Sequence, residues 1–411
     1  MHTRSGESGI DEAVVVELGD KGAHVVWPRA IEMLEALDPN GYRKVPDPLI
    51  LRSSGGWLTL QAGVEHGTSA STLGHFEQRL RYFRAISTGA RGVDYSSING
   101  MSSTVDGLAT WTGRTPVTQQ ILLDPSKQHV SELSITAKNL DPLPLGGPLD
   151  LKLTTSYTHS PRATGGVYRI STTLDVRTRS RESVDWNAHA QAHRMIQDLM
   201  CLVYGRPALS RIGSVMREDD QEIELKDERR FWREAYEPAF GRSARGVEGL
   251  TDEDEPLFYF DDVDPERVTA WLTAYNLWAR PTWIGVTTLF HDDLPVESRL
   301  LQVAVALESL GAAIAEQDGK RTPSTFEGLL KLVWGSLGFV PERVVGNSST
   351  DEWCKEFNRA YKGVKHADNS LPDPLDAFHR AQEGLTLIRC WLGVELGVSS
   401  DVLAKNLKEG R

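Results

Sequence analysis

The feature that most constrains the fold is a change of hydrophobic period near residue 265. From there to the end, apolar residues recur at helical spacing. Candidate helices run over 265–279, 295–317, 324–337, 350–367 and 374–396. Short polar or proline-bearing loops separate them, which is the pattern of a helical bundle. Pro265 and Pro295 suit first-turn positions. Ser349 or Thr350 can cap the 350–367 helix, and Asp351 and Glu352 favour its positive end. Pro372 and Pro374 stop that helix and start the next.

Residues 12–180 read differently. Short runs rich in Val, Ile, Leu and Thr occupy Ala13–Leu18, Leu49–Arg52, Trp57–Leu60, Gln120–Leu123, Leu151–Tyr157 and Val167–Arg177. Clusters such as DPNG, SSGG and NLDPLPLGGP punctuate them. One interruption, SASTLGHFEQRLRYFRAIS, reads as helical. An amphipathic helix follows over 183–204, then a short strand pair around 208–226. The expected fold class is α+β in two domains: a β-rich N-terminal sheet or sandwich with a closing helix, then an all-α bundle. The divisions expected are 1–243, an acidic, turn-rich connector at 244–264, and 265–411.

Composition narrows the function. The chain has 411 residues and a net charge of −12, which argues against broad, non-specific binding to nucleic acid. Such chemistry needs a local basic patch. Three cysteines, Cys201, Cys354 and Cys390, fit no metal spacing and read as reduced thiols. The N-terminus lacks a signal-peptide core, and no apolar run is expected to approach membrane-spanning length. A soluble, cytoplasmic protein without a membrane partner is the expectation.

The 350–367 helix, TDEWCKEFNRAYKGVKHA, carries that basic patch. Arg359 and His366 stand seven positions apart, about 20° in azimuth and roughly 10 Å along one face of a helix. Lys355 and Lys362 share the stripe, while Trp353, Phe357 and Val364 lie opposite. A histidine exchanges protons near neutral pH, and an arginine braces a phosphate. Together they would let a ribose 2′-hydroxyl attack the adjacent phosphodiester without a metal. A solvated basic face, with its histidine at the helix end for the dipole, is the plainer alternative.

Other residues weigh less. Glu308 lies in a nearly all-apolar helix, where an unpaired carboxylate is costly and a partner is expected. Asp185, His189 and His193 share a helix face, but HAQAH lacks the metalloprotease glutamate and a third ligand, so a polar face is expected there. His379 and Arg380 read as surface residues. Trp278 and Trp283 flank ARPT and could line a surface. The glycine pairs match no phosphate loop or dinucleotide fingerprint.

The pattern Arg359, six residues, then His366, late in a bundle and followed by one long helix, resembles the HEPN domain. That family of small all-α domains includes metal-independent endoribonucleases with the motif Arg, four to six residues, His. The stretch ESRLLQVAVALESLGAAI (Glu297–Ile314) is similar to the early bundle helix of the ApeA-like HEPN subgroup. YSSINGMSSTVDGLATWTG (Tyr95–Gly113) is similar to the first domain of the ApeA family.

The resemblance implies a β-rich sensor domain before a HEPN-type ribonuclease, acting in anti-phage defence by abortive infection. In it His366 is general base or acid, and Arg359 holds the scissile phosphate. Glu308 and Asn358 support them, and Lys355, Lys362 and Lys365 attract backbone phosphates. It implies no metal and no cofactor. The implied partners are RNA, with tRNA among the candidate targets, a second copy bound through the C-terminal bundle, and a phage-derived or protein trigger. One position departs: active HEPN nucleases often carry a polar residue directly after the arginine, and here it is Ala360, with Asn358 before. Ala360 and the net charge keep a second reading open. In it the bundle is a non-catalytic dimerisation or nucleotide-binding module beside a protein-sensing N-terminal domain.

Overall fold

The structure is a computed structural model. It describes residues 2–3, 12–30, 45–53, 56–70, 75–88, 93–124, 129–160, 169–220, 223–225, 228–238, 240–242, 246–346 and 348–410. The fold is α+β, with an antiparallel, sheet-rich N-terminal part and helices from residue 265 on. The chain forms two compact units that are not consecutive stretches. The first comprises residues 1–104, 177–191 and 211–241, and the second residues 105–176, 192–210 and 242–411.

The first unit is built on a sheet. Ser210–Met216 pairs with Trp232–Tyr236, which pairs with His75–Thr88, then Gly56–Ala70, Leu49–Ser53, His2–Thr3 and Glu12–Ala13, all antiparallel. Gly22–Ala30 pairs with the His75–Thr88 strand and with Val15–Gly19.

The described residues of SASTLGHFEQRLRYFRAIS are therefore strand, and not the helix that its Glu, Gln, Arg and Leu content suggests; residues 71–74 of it lie outside the described residues. Its burial alternates. Gln78, Leu80 and Tyr82 are buried, while Arg79 and Phe83 are exposed and Arg81 is half-buried. Three strand partners outweigh intrinsic helix propensity. Leu80, Tyr82 and Ala85 pack with Val25, Trp27, Leu51 and Leu60 in one core. Gly63 is required there, since a Cβ would meet the Tyr82 ring at 2.4 Å. The residues around 208–226 differ too. Ile223–Leu225 pairs with Glu228–Arg230, while Ser210–Met216 joins the sheet.

The helices are α1 (Leu108–Thr112), α2 (Trp186–Tyr204), α3 (Pro265–Thr273), α4 (Tyr275–Thr287), α5 (Val296–Gln317), α6 (Phe326–Leu337), α7 (Glu342–Val345), α8 (Thr350–Lys365), α9 (Pro374–Glu395) and α10 (Ser400–Lys408). The strand before α2 runs to Asp185, so that helix begins at 186. The single helix expected over 265–279 is two. The chain turns at Ala274, which places the Trp271 and Tyr275 rings edge to face at 5.2 Å, and α4 continues past Pro281. Pro265 holds the first position of α3 after the Asp264 cap, whereas Pro295 is itself the cap residue of α5.

In the second unit α5 is the central helix, packed against α4, α6, α8 and α9. It has the length and mean hydropathy to cross a membrane. The expectation that no apolar run approaches that length is thereby corrected: Arg299 and Glu308 lie within α5, yet its mean hydropathy stays high. Leu300, Val303, Ala304, Leu307 and Leu310 of α5 are fully buried in the helical core. Each such Leu or Val contributes about 1.5–3 kcal/mol over an exposed one. Within the acidic 244–264 segment, Leu257 and Phe258 are fully buried in the same core.

Candidate functional site

α8 is specified locally at its start and by packing along one side. Ser349 and Glu352 form a capping box. The Glu352 N–H donates to Ser349 Oγ at 3.3 Å, and the Ser349 N–H donates to Glu352 Oε2 at 2.9 Å. Trp353, Cys354, Phe357, Ala360 and Tyr361 are buried. The Trp353 ring lies 4.8 Å from Phe357 and 5.3 Å from Trp334, and its Nε1 donates to Glu383 Oε2 at 2.8 Å. That side fixes the helix. The opposite side leaves Lys355, Arg359 and Lys362 exposed.

The helix ends at Lys365. His366 is its cap residue with φ −118° and ψ 124°, outside the helix that was expected to reach 367. The azimuth argument therefore holds for Lys355, Arg359 and Lys362 and not for His366, whose backbone has turned extended. The His366 N–H donates to the Lys362 carbonyl at 3.0 Å, and its own carbonyl accepts the Asn369 N–H at 3.1 Å. The chain then doubles back. Gly363 permits this, because a Cβ there would meet the Ser370 carbonyl oxygen at 2.5 Å. Asp373 caps α9 by accepting the Leu375 and Asp376 N–H groups at 2.9 and 3.4 Å.

Between α8 and this returning segment lies a cavity of about 670 Å³. Lys355, Asn358, Arg359 and Lys362 line one side, and Asp373, Asp376 and Glu327 also line it. Arg359 and His366 are both exposed, and neither side chain makes a hydrogen bond or ion pair among the described residues. His366 is not in the cavity lining.

The remaining candidates are placed as follows. Lys365 donates to the Tyr361 hydroxyl at 2.9 Å. That bond raises its pKa, and the Glu308 carboxylate adds to the effect. Glu308 itself is half-buried. Arg380 is more than an ordinary surface residue. It donates to Glu356 at 2.6 Å and to Glu383 at 2.9 Å, and burial pushes the Glu383 carboxyl up. His379 is exposed. Trp278 is buried and Trp283 exposed, with Trp283 Nε1 donating to the Tyr275 hydroxyl at 3.1 Å.

The histidine face of α2 is not the polar surface expected. His189 and His193 are fully buried. His189 Nδ1 lies 2.8 Å from Thr178 Oγ1 and Nε2 lies 3.2 Å from the Ile98 carbonyl oxygen. Burial pushes this imidazole down to about 4. Asp185 instead accepts the Asn187 N–H at 2.8 Å. No group of three metal-ligating side chains occurs among the described residues. The three cysteines are free and buried.

Sequence reasoning missed the second wall of the cavity. One signal was present: Asp373 before Pro374 is a cap-and-first-turn signature that puts carboxylates at the start of α9. It also missed that Asn358 Oδ1 is buried without a partner among the described residues.

The family model described as ApeA N-terminal domain 1 matches residues 30–271. No curated protein and no solved structure matches the chain significantly. The family match covers more than half of the sequence, and the chain therefore belongs to the ApeA N-terminal domain 1 family.

Proposed function

We propose that this protein is an anti-phage defence endoribonuclease of the ApeA type, whose helical region acts as a HEPN-type nuclease. One observation carries the reading. α8 holds Arg359 exposed and without a partner among the described residues, flanked by Lys355 and Lys362, with His366 exposed at its end. An exposed arginine that makes no hydrogen bond or ion pair among the described residues, with two lysines beside it, is suited to phosphates from outside.

In this mechanism His366 takes the proton of a ribose 2′-hydroxyl. The O2′ attacks phosphorus, the bond to the 5′-oxygen breaks, and the His366 imidazolium returns its proton to that leaving oxygen. The products carry a 2′,3′-cyclic phosphate and a 5′-hydroxyl. Arg359 neutralises charge developing on the phosphate. A homodimer through the bundle would bring two Arg359/His366 sets into one cleft, and the N-terminal domain would hold the enzyme silent until a phage-derived or protein trigger arrives. A net charge of −12 suits a toxic nuclease that must ignore most RNA.

The test is cleavage of total RNA and tRNA in EDTA. Wild type should cut, and Arg359→Ala and His366→Ala should each lose about 100-fold or more. Cleavage that persists in both variants would sink the assignment. The second reading, a non-catalytic binding module, is favoured by Ala360, which is buried and offers no polar group beside Arg359. It predicts no cleavage even in phage-challenged cells.

A further inference from the structure

The cavity beside α8 holds three cations and three carboxylates. A groove for a phosphodiester backbone alone would not be lined this way, because each carboxylate repels the strand. The three acids differ in what already occupies them. Asp373 caps α9. Glu327 lies 3.5 Å from Lys331. Asp376 meets Arg380 at the same distance, but its side chain is the more exposed, 47% against 30% for Glu327. Arg380 Nε stands 3.5 Å away and makes no hydrogen bond, since its two other nitrogens serve Glu356 and Glu383. The Asp376 side chain is 47% exposed, and its two oxygens accept no hydrogen bond among the described residues. Asn358 lines the same cavity, and its amide makes no hydrogen bond among the described residues.

A fitting ligand must bring an anion and, beside it, N–H donors. Single-stranded RNA does this, with its phosphates and the Watson–Crick edges of its unstacked bases. The volume suits one nucleotide. Among the four bases, guanine presents two adjacent donors, N1–H and the N2 amino group, which match the two oxygens of one carboxylate. Adenine and cytosine place a ring acceptor beside their amino group, and it would face the carboxylate repulsively. Uracil offers a single N–H between two carbonyls.

We propose that this pocket reads a guanine of the bound RNA. Asp376 accepts from the base edge, Asn358 supplies the second polar contact, and Arg359 with its flanking lysines holds the phosphate. The assignment rests on the nuclease reading for its choice of RNA as ligand.

The experiment is titration calorimetry of the full chain with 5′-GMP, AMP, CMP, UMP and ribose 5-phosphate. Wild type should bind GMP about tenfold tighter than UMP. Asp376→Asn should erase that preference and keep ribose 5-phosphate binding, while Arg359→Ala should weaken all five ligands alike. Equal binding of the nucleotides, no binding of any, or a GMP preference that survives Asp376→Asn would overturn the proposal. Cleavage assays in EDTA separate the two claims. Metal-independent, His366-dependent cutting without a guanine preference removes the base reading and leaves the nuclease. A GMP preference lost in Asp376→Asn, in a protein that never cuts, supports the pocket and removes the nuclease.

Discussion

Two charged clusters in the second unit are opposites. Around Asp198 every group is answered inside the chain. The Asp198 carboxylate is fully buried and accepts from Arg242 Nε at 2.5 Å and from the Tyr275 hydroxyl at 2.5 Å. Trp283 then donates to Tyr275, and Arg242 Nη1 to Thr287 Oγ1, each at 3.1 Å. The Arg242 backbone N–H donates to Gln197 Oε1 at 2.6 Å. Burial, then the Asp198 charge, holds the Tyr275 phenol far above its ordinary range. Around Arg359 the reverse holds: the guanidinium is exposed and nothing of the chain, among the described residues, takes its charge. A buried charge must be satisfied for the fold to exist. An exposed one left unpaired costs the fold little and stays available to a ligand.

The largest effect would break this contrast directly. Asp198→Ala leaves Arg242 without its buried anion and should destabilise the protein by about 3–5 kcal/mol. Arg359→Ala should change stability by less than about 0.5 kcal/mol. Urea unfolding of the two variants beside wild type measures both. Midpoints that fall equally would mean that Arg359 is structural after all, and the contrast would collapse.

The same contrast explains what could be read from the sequence. α8 was legible almost to its ends because its signals are local: the Ser349–Glu352 cap, the apolar stripe of Trp353 and Phe357, and the proline at the start of α9. Its last residue was not, because His366 leaves the helix where the chain folds back over Gly363, a tertiary event. Asp198 stood in plain view within MIQDLMCLVY, but its partners come from residues 242 and 275, and no local pattern ties them to it. The strand His75–Thr88 was hidden by helix-forming residues whose outward positions only the sheet register reveals. The carboxylate wall of the cavity needed the return loop for the same reason.

A smaller effect extends the comparison to pH. His189 in the first unit is another buried, answered group, and it answers as the neutral form. Its imidazole is pushed from the ordinary 6.5 to about 4 by burial. Between those values the unfolded chain takes up a proton that the folded chain refuses. Stability is therefore fully present above pH 6.5 and is lost as pH falls towards 4, with a slope of at most about 1.4 kcal/mol per pH unit. Subtracting the curve of His189→Gln isolates this contribution, and a difference that does not change between pH 6.5 and 4.5 would show that His189 is protonated in the fold.

The smallest effect asks whether scaffold and site on α8 are separable. Ser349→Ala removes the oxygen that accepts the Glu352 N–H and should cost about 1 kcal/mol. Fraying is confined to the first turn, since the next turns are held by Trp353 and Phe357 in the core. Arg359 lies beyond both anchors, so its exposure and setting should survive. RNA cleavage by Ser349→Ala should then match wild type within about twofold at temperatures well below unfolding, although Tm falls by a few degrees. A cleavage loss as deep as that of Arg359→Ala, at the same modest cost in stability, would show that the cap reaches the site. The strip would then depend on the whole helix being intact, and its charges could not be treated as independent of the fold that carries them.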